Sequence, residues 1–235
     1  MIEIVVDSAN GRVPVIAGTG AISTKETIQL TRDAEDVGAD AALVVTPFYF
    51  KYSMKELYVH YSAVIEAVDI PIILYNVPKF TGFSVQPELV YKLVNEYSNI
   101  IGIKDSSGSL SQISELIRLV GEKIAVLAGT ADVVLPTLML GGRGAIIAVA
   151  NVDPKLCSSL YKAFKNEKFE EAAKLQRKIS YLNEVLVKKY NQLSAIKEAL
   201  NLKGLPAGYP RKPALPLENP EKEKIKELLS EIESC

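Results

Sequence analysis

The chain predicts an α/β fold built on a parallel sheet, and three features of its 235 residues lead there. Short, near-continuous apolar segments alternate with longer segments of helical spacing. Each apolar segment gives way to Gly, Pro or polar residues, and the connections between segments are short. Strands that read as unbroken apolar runs are those buried on both faces, as when helices cover the outside of a parallel sheet. Six such strand–helix units are recognisable, and the polar turns that follow the strands lie where a (β/α)8 barrel builds its active site.

The strands are expected at 13–17, 41–45, 71–74, 100–103, 124–128 and 144–149. The first ends in Gly18-Thr19-Gly20, and its helix opens at Ser23-Thr24-Lys25-Glu26, a capping box in which serine and glutamate satisfy each other's backbone donors. The second ends in Thr46-Pro47-Phe48-Tyr49 before another capping box, Ser53-Met54-Lys55-Glu56. The third ends in Tyr75-Asn76-Val77-Pro78, followed by a helix over 87–97 with Pro87 at its start, where a missing N–H does no harm. Helices over 109–120 and 132–140 follow the fourth and fifth strands, and the sixth ends at Ala150-Asn151. Past Asn151 the strands stop, and helices are expected at 154–165, 169–189, 192–202 and 221–233. The expected organisation is a partial barrel over 1–151 with a helical extension over 152–235 packed on it as a single structural unit.

Composition narrows the function. With 27 Lys and Arg against 28 Asp and Glu, the net charge of −1 offers no basic surface for nucleic acid or an anionic membrane. The longest apolar run, 133–150, is broken by Pro136 and Gly141-Gly142-Arg143-Gly144, so no membrane span is expected. The first residues carry acids where a targeting peptide has bases, and a cytoplasmic protein is expected. Cys157 and Cys235 form no close-spaced motif, and His60 is the only histidine. No metal or cofactor site is therefore expected, and His60 reads as a structural residue on a surface or helix face.

The most informative stretch is Asn99-Ile100-Ile101-Gly102-Ile103-Lys104-Asp105-Ser106-Ser107-Gly108. A lysine at the end of a buried strand is costly, because its ammonium loses hydration. The same desolvation favours the neutral, nucleophilic amine. Strand alternation places Ile100, Gly102 and Lys104 on one face, with Gly102 leaving room for the amine and whatever it holds. On this stretch alone, a lysine snorkelling to solvent accounts for the pattern equally well.

Tyr75-Asn76-Val77-Pro78 and Gly102-Ile103-Lys104-Asp105 together resemble motifs of the dihydrodipicolinate synthase / N-acetylneuraminate lyase family of pyruvate-dependent class I aldolases. The likeness extends over Val15-Ile16-Ala17-Gly18-Thr19-Gly20, Thr46-Pro47-Phe48-Tyr49, Gly141-Gly142-Arg143-Gly144-Ala145-Ile146 with Ala150-Asn151, and the helical tail. The resemblance implies a (β/α)8 TIM barrel, usually a homotetramer, in which the lysine matching Lys104 forms a Schiff base with pyruvate or another 2-oxo acid. It also implies a catalytic role for Tyr75 as proton shuttle, although a tyrosine packed at a barrel rim would read the same. Ile146 matches a position whose carbonyl lines the pyruvate pocket. Tyr49 matches a tyrosine that joins the proton relay of a neighbouring subunit, while the cluster Phe48, Tyr49, Phe50 and Tyr52 also suits an interface or substrate lid.

Two departures shape the expected function. The family's synthases carry an arginine, which contacts the second substrate's carboxylate, two places beyond the motif's proline; here that place holds Phe80. This, with a tail Gly208-Tyr209-Pro210-Arg211-Lys212-Pro213 similar to those of archaeal 2-keto-3-deoxygluconate aldolases, favours a carbon–carbon lyase acting on a 2-keto-3-deoxy sugar acid. Its substrates would be pyruvate plus an aldehyde, and the alternative is 4-hydroxy-tetrahydrodipicolinate (dihydrodipicolinate) synthase. The second departure is that the family's opening β-α-β segment, with its Gly-Thr-Thr-Gly-Glu loop, has no counterpart. The barrel is thus expected to be N-terminally truncated, with six of eight strands recognisable, through a start upstream of Met1 or a shortened piece. An inactive fragment with a binding or assembly role is the remaining alternative.

Overall fold

The computed structural model describes residues 1–234; Cys235 lies outside them. Helix α1 (Ile2–Ala9) precedes a sheet of β1 (Ile16–Gly18), β2 (Ala41–Val45), β3 (Ile72–Asn76), β4 (Ile100–Asp105), β5 (Ala125–Ala128) and β6 (Gly144–Ala145). Between the strands lie α2 (Thr24–Asp36), α3 (Met54–Glu66), the single turn α4 (Pro78–Thr81), α5 (Pro87–Glu96), α6 (Leu110–Val120) and α7 (Val134–Met139). All strand pairs are parallel and their spatial order is their sequence order, as in a (β/α)8 barrel. The α/β barrel class is as expected, with six strands among the described residues.

The chain forms two compact units, one of Met1–Gly129 with Met139–Ala145, the other of Thr130–Leu138 with the chain from Ile146 onward. In the first, the capping box expected at Ser53 forms in full, and of the one expected at Ser23 the serine's half forms. Ser53 and Glu56 make a reciprocal capping box, and Ser23 Oγ accepts from the Glu26 N–H at 3.2 Å. The core lies on the outward face of the sheet, where Val44, Ile72, Leu74, Ile103 and Val126 meet Leu57 and Tyr61 of α3, Val90 and Leu93 of α5, and Leu116 of α6. His60 is buried on α3, its Nδ1 2.9 Å from Thr24 Oγ1 and its ring edge-on to Tyr61. Burial pushes its pKa down to about 4, so the ring is neutral near pH 7.

Strict alternation along β4 does not hold. Ile72 pairs with Ile100 but Ile73 pairs with Gly102, so the ladder absorbs Ile101 as an extra residue. Ile100 consequently joins Ile103 in the outward core while Ile101 is 44% exposed. Gly102 and Lys104 share the other face with Ile73 and Tyr75; Ile100, expected with them, does not. The expected strand at 144–149 is likewise shorter. β5 ends at Ala128, which pairs with Ala145, and past that point the chain finds no ladder partner and turns into a 3-10 helix at Ala148–Asn151.

The second unit contains α8 (Pro154–Lys165), α9 (Phe169–Asn183), α10 (Gln192–Leu202) and α11 (Asn219–Ser234). The helix expected over 169–189 is regular only to Asn183 and continues as a π-helix, Glu184–Lys189. One added residue per turn leaves no clear mark on an apolar repeat of 3.6. Buried Gln176 accepts from the Leu135 N–H and donates to the Ala131 carbonyl, both at 2.8 Å, which ties α9 to the start of α7 and the turn before it.

The bulge makes neighbouring isoleucines unequal. Ile100→Ala is expected to cost about 2–4 kcal/mol and Ile101→Ala under about 1 kcal/mol in urea unfolding, the reverse of what simple alternation requires. For His60, the unfolded chain binds a proton near pH 6.5 while the folded chain resists until about 4. Its contribution is therefore fully present above pH 6.5 and is lost as pH falls toward 4. Urea midpoints of His60→Gln should fall less steeply across that window than those of the unsubstituted protein.

Candidate active site

Parallel register lines up one inward-facing row across five strands. Val45 pairs with Tyr75, Tyr75 with Lys104, Lys104 with Leu127 and Leu127 with Gly144. The row lies at the C-terminal ends of the strands, where the polar turns begin. Lys104 and Tyr75 are both half-buried, whereas the preceding outward residues Leu74, Ile103 and Val126 are closed off under the helices. The Lys104 Nζ stands 4.1 Å from the centroid of the Tyr75 ring. An amine and a phenol are thus held side by side on the face opposite the helix-packed core.

The row beneath consists of Leu43, Ile73, Gly102 and Ala125. A Cβ on Gly102 would lie 3.0 Å from the Ala125 carbonyl oxygen and 3.7 Å from Ile73 Cγ1. A methyl group here would press on the β5 backbone, because β4 and β5 approach closely.

On the opposite face, one residue further along each strand, Asn76 and Asp105 form the next rung. Asp105 is 0% exposed. Its Oδ2 accepts from Asn76 Nδ2 at 2.7 Å and Gln112 Nε2 at 2.8 Å; its Oδ1 accepts from the Ser107 N–H at 3.0 Å and from the Ser107 hydroxyl. Asn76 Nδ2 also donates to Ser84 Oγ at 3.1 Å, and Asn76 Oδ1 accepts from the Val85 N–H at 3.0 Å. Sequence reading passed over this set, although an amide and a carboxylate one place beyond Tyr75 and Lys104 are a visible signal. The hydroxyls of Thr46 and Ser106, each one residue past a strand end, are buried without a hydrogen-bond partner among the described residues. A Ser or Thr after a strand is ordinary turn chemistry, so nothing in the sequence marks them.

The other expected residues lie on other segments of the chain. Tyr49 is 83% exposed on the loop after β2, edge-on to Phe50 at 4.9 Å, with φ of 83°. A left-handed tyrosine costs on the order of 1–3 kcal/mol and persists only where its surroundings enforce it. Ile146 is half-buried and opens the second segment of the other unit, just beyond β6. Phe80 is 65% exposed on α4, with Lys79 Nζ 5.5 Å from its ring centroid. Burial and nearby Asp153 push the Cys157 thiol up to about 11, which keeps it protonated and unreactive. Among the described residues no cluster of His, Cys, Asp and Glu could hold a metal ion, and no helix is long and apolar enough to cross a membrane.

Comparison with known proteins matches residues 1–232 to the dihydrodipicolinate synthetase family. A 4-hydroxy-tetrahydrodipicolinate synthase of Archaeoglobus fulgidus is 44% identical over 222 residues, which cover 94% of this chain and 76% of the relative. That of Methanopyrus kandleri is 41% identical over 232 residues, covering 99% and 77%. A prophage protein of the dihydrodipicolinic acid synthase family from E. coli K12, solved in complex with pyruvate, superposes with a TM-score of 0.93 at 34% identity, over 100% of this chain and 80% of that one.

Two glycines in this part of the sheet should respond differently to a methyl group. Gly102→Ala must displace a backbone carbonyl and is expected to cost about 1–3 kcal/mol. At Gly144 a Cβ meets only Leu127 Cδ2, at 3.6 Å, and Gly144→Ala should stay within about 0.5 kcal/mol of the unsubstituted protein in urea unfolding.

Proposed function

The chain belongs to the dihydrodipicolinate synthetase family, whose members are Schiff-base carbon–carbon lyases, and from that premise we propose that Lys104 carries the imine, with Tyr75 as its proton shuttle. The observation that carries the proposal is the amine 4.1 Å from the phenol ring at aligned strand ends. The Lys104 amine adds to the ketone carbon of pyruvate, and loss of water leaves an iminium. That cation accepts the electron pair released when a proton leaves the methyl carbon, giving an enamine. Tyr75, beside the amine, relays protons between the reacting carbons and oxygens and solvent. The enamine carbon then attacks an aldehyde carbon, the aldehyde oxygen takes up a proton, and water hydrolyses the new iminium to free product and lysine. Cleavage is the same sequence reversed.

The names of relatives more than 40% identical support aspartate semialdehyde as the aldehyde and 4-hydroxy-tetrahydrodipicolinate synthase as the activity, in preference to the sugar-acid aldolase first expected. One observation favours the sugar-acid reading. The exposed residue in the place of the synthases' arginine is Phe80, which offers an acceptor's carboxylate no charge. In either reading Tyr49 serves the proton relay of a neighbouring copy in a homo-oligomer, and the Ile146 carbonyl lines the pyruvate pocket. Both roles follow from family resemblance.

Borohydride added in the presence of pyruvate should fix one reduced pyruvate per chain, located at Lys104 by peptide mass spectrometry and lost in Lys104→Ala. Exchange of pyruvate methyl protons with deuterated water, followed by NMR, should slow by about 10²–10⁴-fold in Tyr75→Phe. Folded protein that leaves Lys104 unmodified would refute the proposal. Turnover of aspartate semialdehyde against glyceraldehyde decides the acceptor, and a faster reaction with glyceraldehyde would remove the synthase reading.

A further inference from the structure

We infer that Asn76 and Asp105 are positioning residues, which clamp β3 to β4 on the outward face so that Tyr75 and Lys104 keep their spacing on the inward one. The inference rests on the imine reading of Lys104 and extends it to residues that no substrate touches.

Two adjacent rungs of one ladder carry the argument. Tyr75 and Lys104 are register partners, and so are Asn76 and Asp105 immediately beyond them. Because successive side chains point to opposite faces, the second pair lies behind the first. The backbone ladder between the two strands also ends here, its last bond running from the Ser106 N–H to the Asn76 carbonyl at 2.8 Å. Past that bond β3 passes into the turn of α4 and β4 into the 106–109 loop. The separation and twist of the strand ends therefore depend on what joins the side chains.

That junction is saturated. Asp105 accepts four hydrogen bonds, the capacity of an ionised carboxylate, and Asn76 uses both its amide hydrogens and its carbonyl. Gln112 links the rung to α6, and Ser84 and Val85 link it to the segment before α5. Stability alone does not call for such a set, since apolar residues of similar volume commonly stabilise a core as well as or better than a buried charged network. Hydrogen bonds supply direction: with every donor and acceptor engaged, the rung has one low-energy geometry. A shift of about 1 Å at a reacting group can cost on the order of a hundredfold in rate, so that geometry bears directly on the imine pair.

The test measures the rate of the borohydride-trapped pyruvate adduct on Lys104 at saturating pyruvate, together with the half-saturating concentration. Asp105→Asn and Asn76→Ser are each expected to slow trapping by about tenfold or more while half-saturation moves less than about threefold. Combining Asn76→Asp with Asp105→Asn restores one donor–acceptor pair and should recover at least about fivefold. Ile113→Ala, in the buried face of α6, serves as a destabilised control expected within about threefold of the unsubstituted rate. Should the single variants fail to fold, Gln112→Leu, which removes one donor at the edge of the set, carries the test with an expected slowing of at least about threefold. Folded variants that trap pyruvate at the unsubstituted rate, or lose no more than Ile113→Ala at matched melting temperature, would overturn the clamp and leave the imine reading standing. An unsubstituted protein that forms no adduct would overturn both.

Discussion

A carboxylate without solvent contact closes the end of β4. Asp105 is tolerable there only because four donors surround it, two of them from the turn that follows, one from α6 and one from β3. The donors come from three parts of the chain: Ser107 in the turn, Gln112 on α6 and Asn76 on β3. The carboxylate therefore gathers the strand end, the loop and the helix into one arrangement, and loss of any donor would leave a buried polar group short of a partner.

The consequence falls on the other face. Outward residues of the sheet lie under α3, α5 and α6 and are closed to water, while the inward row of Val45, Tyr75, Lys104 and Leu127 is only half-buried. One side of the sheet is thus a packed core and the other a surface on which polar groups can stand. The amine and the phenol stand side by side on that surface, above Gly102, where β4 and β5 leave little room for a side chain. Rigidity on one face and access on the other come from the same pleat.

Much of this was legible along the chain. Near-continuous apolar runs marked all six strands, and Ser53 with Glu56 marked a helix start that forms as read. Lys104 stood out because a charge is expensive at the end of a buried strand, and Tyr75 through the family motif that it opens. Less was legible where a contact rather than a pattern decides. Ile100 and Ile101 are chemically identical and adjacent, so only their pairing with β3 tells which is core. His60 carried no mark of its burial, because one polar residue on a helix reads alike inside and out. The π-helix after Asn183 and the single turn at Pro78 leave too few residues for a periodic signal. Phe80 shows the opposite hazard. One substitution in a motif and a short tail favoured a sugar-acid aldolase, whereas relatives similar over nearly the whole chain are named as synthases.

By itself the sequence determined the fold class, the order of strands and Lys104 as the residue most worth attention, since burial pattern and side-chain chemistry are local properties that survive in one dimension. The tertiary structure alone decided that Lys104 faces Tyr75, that a bulge turns Ile100 away from them, and that Asn76 and Asp105 close the rung behind. Those outcomes depend on the register between β3 and β4. Register is set by which residues of two distant segments meet, and a shift of one place reverses every side chain's face.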